Sequence, residues 1–212
     1  MRKSILLVMS MLLCLTVGFT SCNGCKNEPV EPEATPEVAE LIVENVTGVD
    51  RQYMFTNYGG DYRWFESCIV LKDFLDEECD GTITGISNVF QVVEEKEKGA
   101  DTFVVLAAHT NDTTAYEVKH GFWVEDFPLN DEQIKVTFAE AFEKINQVNL
   151  PKPHSRQVVL RKQVGPVDAN PQYIFGNARA QLYVDAVTGD VTDKNPCFPE
   201  DKGFKMPLGE WP

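Results

Sequence analysis

The chain has 212 residues, enough for one large or two small domains with a substantial core, and its 43% hydrophobic and 25% charged content is ordinary for a folded protein. Against 19 Lys and Arg stand 33 Asp and Glu, a net charge of -14. A surface that negative repels nucleic acid and anionic lipid headgroups, which argues against a nucleic-acid binder and leaves a cationic partner or plain solubility as its meaning.

Arg2 and Lys3 open the chain with positive charge, and Ile5 to Val17 is an apolar run too short to span a bilayer as a permanent helix. Residues 1–21 therefore read as an export signal. It ends Phe19-Thr20-Ser21-Cys22, with small residues directly before a cysteine, and resembles the lipobox of bacterial lipoproteins. That resemblance implies that Cys22 is diacylated, becomes the mature N-terminus and anchors the protein to a membrane of the cell envelope. Cys14 follows bulky Leu13 and Cys25 follows Asn23-Gly24, so Cys22 is the better candidate. A plain secretory signal cut near the same point is the other reading.

Residues 22–35 lead into Glu28-Pro29-Val30-Glu31-Pro32-Glu33-Ala34-Thr35-Pro36, whose prolines and glutamates cannot bury a face. They predict an extended, self-repelling stalk, with the folded body starting near residue 36. Thr35-Pro36 fits a helix start, and Val38, Leu41, Ile42 and Val46 predict a short amphipathic helix up to about Thr47-Gly48. An aromatic connector with Tyr53, Phe55, Tyr58 and Tyr62 follows. Arg63 to Leu75, Thr82 to Glu94, Thr102 to His109 and Ala115 to Asp126 are rich in Val, Ile and Phe. With Asp80-Gly81, Gly99-Ala100 and Thr110-Asn111-Asp112 between them, they predict an antiparallel meander that completes a unit over 36–130.

A second unit, 131–193, opens on Thr137-Phe138-Ala139-Glu140, a capping box for a helix that Pro151 and Pro153 end. Gln157 to Val164 and Gln172 to Phe175 then read as strands. In Gln181 to Asp185, Leu182 and Val184 alternate with polar positions. Asp185 can fold its carboxylate onto the following N–H groups, and Gly189 supplies the positive φ of a tight turn closed with Thr188, before Val191 resumes extended structure. Residues 194–212 form a proline-rich, irregular tail. Helix then antiparallel strands occurs twice, which predicts an α+β fold of two helix-plus-antiparallel-sheet units, each helix covering its own sheet.

Val136 to Phe142, Pro171 to Phe175, and the closing Leu182-Tyr183-Val184-Asp185-Ala186-Val187-Thr188-Gly189-Asp190-Val191 resemble a PepSY domain over the last third of the chain. The tandem of helix-plus-sheet units resembles the architecture of the beta-lactamase inhibitor protein. Both resemblances imply a secreted or envelope module that binds a protein or peptide, in some cases a peptidase, without chemistry of its own.

Once Cys14 is cut away and Cys22 acylated, Cys25, Cys68, Cys79 and Cys197 remain, and four cysteines allow three pairings. In an extended strand Cys68 lies about 20 Å from Cys79, beyond bridging reach. The expectation is a free buried Cys68, with Cys79 and Cys197 available to each other. Asp76-Glu77-Glu78-Cys79-Asp80-Gly81 has the alternating acids of a calcium loop, but Ser87 stands where the bidentate Glu belongs, so an acidic hairpin turn is expected instead. His109 and His120 are placed to face each other across a hairpin without a third ligand for zinc. Nucleophile elbows, metalloprotease helices and phosphate-loop glycines are absent from the sequence. No enzyme, metal or cofactor is expected. The candidate interface anchors are the strand-associated aromatics Tyr116, Phe122, Trp123 and Tyr183, wherever they face outward.

Overall fold

Val43, Val46, Thr47, Asp50 and Met54 recur at helical spacing and are all buried, so the first element is helix α1, Val43–Tyr58. It stops at Gly59, whose φ of 64° suits glycine and whose N–H donates to Phe55 O. The computed structural model describes residues 41–96 and 99–199, and these belong to one compact unit. Cys22, Cys25, the export segment and the tail beyond residue 199 lie outside the described residues. Hydrophobic spacing alone ends this helix at Thr47-Gly48 and makes a connector of the aromatic stretch. The helix instead runs through that stretch, because two of its buried positions, Thr47 and Asp50, are polar and break the stripe that apolar spacing detects.

Four strands follow as an antiparallel meander: β1 Tyr62–Leu71, β2 Ile83–Lys96, β3 Gly99–Thr110 and β4 Thr114–His120. β1 stops at Leu71 rather than running to Leu75, and a loop over 72–82 takes the place of a tight Asp80-Gly81 hairpin; within it Gly81 sits at φ 82° and Thr82 N–H donates to Asp80 Oδ1. β4 ends earlier than its apolar content suggests, at Gly121 with φ 137°, and the chain re-enters as the two-residue β5, Asp126–Phe127.

A 3-10 turn at Asp131–Gln133 leads to α2, Phe138–Gln147. Its capping box is formed in both directions: Glu140 N–H donates to Thr137 Oγ1 (3.2 Å), and Thr137 N–H donates to Glu140 Oε2 (2.8 Å). Then come β6 Gln157–Gln163, β7 Gln172–Asn177, β8 Ala180–Asp185 and β9 Val191–Thr192. In the last turn Asp185 Oδ1 accepts from the N–H groups of Val187 (2.8 Å) and Thr188 (3.0 Å), while Gly189 sits at φ 77°.

The protein is thus α+β with an antiparallel sheet, in the order β4-β3-β2-β1-β6-β7-β8-β9, with β5 also paired to β6. Separate sheets for the two segments are not found. β1 and β6 pair directly, Glu66 to Val70 against Arg161 to Gln157, so a single sheet runs through both. Each of these strands leaves one row of backbone donors and acceptors unused by its own hairpin, and joining them satisfies both rows.

Both helices lie on one face, α1 over β1 and β2 and α2 over β8. The core between helices and sheet includes Ile69, Phe90, Val105, Leu160, Phe175 and Val184. Phe138 of α2 stacks on Phe175 at 6.3 Å between ring centroids.

Candidate functional site

Alternation along each strand sends every second side chain away from the helices, and the registers align those residues across the sheet. Ala115, Ala108, Ser87, Cys68 and Val159 stand side by side from β4 to β6, followed by Ile174 and Tyr183. The first four are small, so a backbone or flat surface can approach closely with little side-chain entropy to lose. Val70 and Val93 on the same face are 37% and 39% exposed. Among the described residues no helix covers this face. Residues 121–127 lie over part of it, where Trp123 N–H donates to Gln91 Oε1 (2.8 Å) and its indole N–H to Asp126 Oδ2 (3.1 Å).

Beside Trp123 two carboxyls share one guanidinium. Arg161 Nη1 lies 3.7 Å from Glu66 Oε2, and its Nε 3.8 Å from Asp126 Oδ1. Both separations exceed a hydrogen bond, and Asp126 Oδ1 and Arg161 Nε are buried without a hydrogen-bond partner. Burial, and next the charge of Asp126, push the Glu66 carboxyl up to about 7 against the pull of Arg161. Burial raises Asp126 as well, opposed by Arg161 and by the Trp123 hydrogen bond.

A polar cluster lies on the opposite face, beneath α1. Asp50 has no exposed surface and gathers three donors: His109 Nε2 (2.7 Å) and Tyr116 Oη (2.9 Å) on Oδ1, and Asn88 Nδ2 (2.7 Å) on Oδ2. Ser67 in turn donates to Asn88 Oδ1. The other ring nitrogen of His109, Nδ1, lies within hydrogen-bond reach of Thr114 Oγ1 (3.0 Å). Burial, then the Asp50 charge, raise the Tyr116 phenol, so it stays protonated as a donor. Every donor that reaches Asp50 comes from the sheet, so the network ties one helical turn to β2, β3 and β4. The sequence carries only a weak sign of it, a lone Asp three residues after Thr47 on the buried stripe.

A cleft of about 570 Å³ opens where the start of α1 meets the start of α2, lined by Leu41, Ile42 and Glu44, by Asp80 and Thr82 before β2, and by Phe138 and Phe142. Its acids are already engaged: Glu44 Oε1 accepts from Phe138 N–H (2.9 Å) and Asp80 Oδ1 from Thr82 N–H (2.8 Å).

Of the four aromatic anchors expected from sequence, Phe122 is the one that faces water, at 72% exposure. Tyr116 stacks on Tyr53 at 3.6 Å and serves the Asp50 cluster. Tyr183 is 3% exposed and donates to Gln181 Oε1, and Trp123 is half-buried. His109 and His120 do not face each other: the register sets His109 opposite Thr114 and His120 opposite Phe103, because the hairpin turns at 110–113 rather than midway between them.

Cys68, Cys79 and Cys197 are free thiols, so the expected pairing of Cys79 with Cys197 is not formed. Cys79 Sγ approaches Asp73 O at 3.7 Å in the loop after β1. Cys197 Sγ approaches Gln163 O at 3.7 Å beyond β6, and tertiary placement that spacing cannot reveal keeps the two apart. Comparison with protein-family models, with curated proteins and with solved structures finds no match for this chain.

Proposed function

We propose that this chain is a lipid-anchored cell-envelope module that binds a protein or peptide partner across the helix-free face of its sheet and performs no chemistry of its own. The carrying observation is the part of that face over β4 to β1, with its transverse row of small side chains, together with part-exposed Val70 and Val93 and exposed Phe122; farther along the row Ile174 and Tyr183 are buried. A net charge of -14 favours a cationic partner. In this reading the export signal and Cys22 supply the anchor and the Pro/Glu stalk holds the body off the membrane.

Segments 36–130 and 131–193 are proposed as two related units. Support comes from order: each is a helix followed by a meander, and the two meet antiparallel through their first strands. Two copies of one motif adopt that arrangement about a local twofold axis, in keeping with a PepSY-like tandem and with peptidase inhibition as its activity.

The second reading is a small-molecule binder or hydrolytic enzyme using a cleft between the halves, favoured by the 570 Å³ space between the helix starts. The prior engagement of Glu44 and Asp80 with backbone N–H groups leaves that space few free polar groups, which places it second.

A photocrosslinking residue at Ala108 tests the preferred reading against one at Phe55, which is 60% exposed on α1. In intact envelopes the Ala108 probe captures a defined partner, A115R lowers that capture about tenfold, and the Phe55 probe captures nothing comparable. Equal capture from both positions would contradict it. Palmitate labelling that persists in C22S would remove the anchor.

A further inference from the structure

We infer that β4 is a self-complementary edge at which two copies of this chain pair antiparallel, making one sheet continuous through a homodimer. β4 ends the sheet order and, among the described residues, pairs only with β3. The backbone phase of its free side follows from two hydrogen bonds at the ends of the β3–β4 ladder: Gly121 N–H donates to Thr102 O (3.1 Å) and Thr110 N–H to Thr113 O (2.8 Å). Between those bonded pairs the odd-numbered residues of β4 turn their N–H and C=O groups to β3. Thr114, Tyr116, Val118 and His120 therefore turn theirs to the open edge.

A twofold axis at Val118 makes that edge pair with itself. Val118 meets its counterpart as a hydrogen-bonded pair, and Tyr116 lies opposite His120 in the next such pairs. Glu117 then falls opposite Lys119 at the two closer, non-bonded positions, where cross-strand side chains interact most strongly. The opposite charges thus match twice by symmetry. In a chain of net charge -14 this strand carries one Glu and one Lys, so here two copies approach with little repulsion. Val118 is 52% exposed and gains cover. Two of the usual guards of an edge are missing, since β4 has no proline and its ladder with β3 runs without a bulge, and its Lys119 lies 3.0 Å from Glu117 of the same strand.

Sedimentation equilibrium of the purified full chain tests this, with a reversible monomer–dimer equilibrium expected. E117K and K119E each set like charges opposite one another and weaken the dimer by about tenfold, whereas the double swap restores it. Val118→Cys crosslinks to itself on mild oxidation beyond the level of the parent chain, since paired Cα atoms at the axis are about 5.5 Å apart. A monomer at every concentration, a dimer indifferent to the single swaps, or a double swap that fails to restore it would overturn the inference. So would a chain that stays monomeric but takes up a foreign strand at β4.

Discussion

Glu66 is more costly to ionise in the folded chain than in the unfolded one, because burial and the neighbouring Asp126 outweigh Arg161. Below the ordinary 4.5 it is protonated in both states and costs nothing. Between 4.5 and about 7 the unfolded chain releases the proton while the folded chain keeps it, so stability falls as pH rises through that window and levels off above it. Asp126, raised by burial, adds a fall of the same sign, and Glu125 faces the pair as a further like charge. Denaturant midpoints measured from pH 4 to 8 should decline for the native chain, and Glu66→Gln should remove most of the decline. Identical profiles for the two proteins would show that this carboxyl does not titrate as its surroundings dictate. Nothing at 66, 126 or 161 announces the cluster in the sequence, since the three residues meet only when β1, β5 and β6 come together.

Local elements were legible in proportion to how much of their chemistry is local. The capping box of α2 satisfies backbone donors within four residues, and the Asp185 turn closes within five, so each is readable from spacing. Thr137→Ala should cost about 1 kcal/mol, seen as a lower melting temperature that Thr137→Ser largely recovers. An unchanged melting temperature would mean that packing of Phe138 alone holds the helix end. The extent of α1 is hidden from the sequence for the opposite reason. Its start lacks a side-chain cap, and its buried stripe includes an aspartate whose partners lie 38 to 66 residues away. No local pattern can reveal that such a charge is compensated.

For the whole molecule, the joint between β1 and β6 decides how the body unfolds. The pairing of Glu66 to Val70 with Arg161 to Gln157 lies at the centre of the sheet order, and separating the segments would expose both strands and the core residues Ile69 and Leu160. One calorimetric transition is therefore expected, and a fragment of residues 36–130 should melt broadly or not fold. Two resolved transitions, or a sharply melting fragment, would show that the segments stand alone. Strand order of this kind is set by contacts about 90 residues apart, beyond the reach of periodicity.

The register of β1 slips between Trp64 and Glu66, and there β6 changes neighbour, pairing with β5 at Asp126 and Phe127 while Leu129 N–H donates to Trp64 O. The link between the two segments is thereby stitched into the fabric it connects. A protease that readily nicks the exposed bend at 111–113 should find 126–129 resistant, and extra residues spliced in there would pry strands apart where the same insertion at the bend would dangle in water.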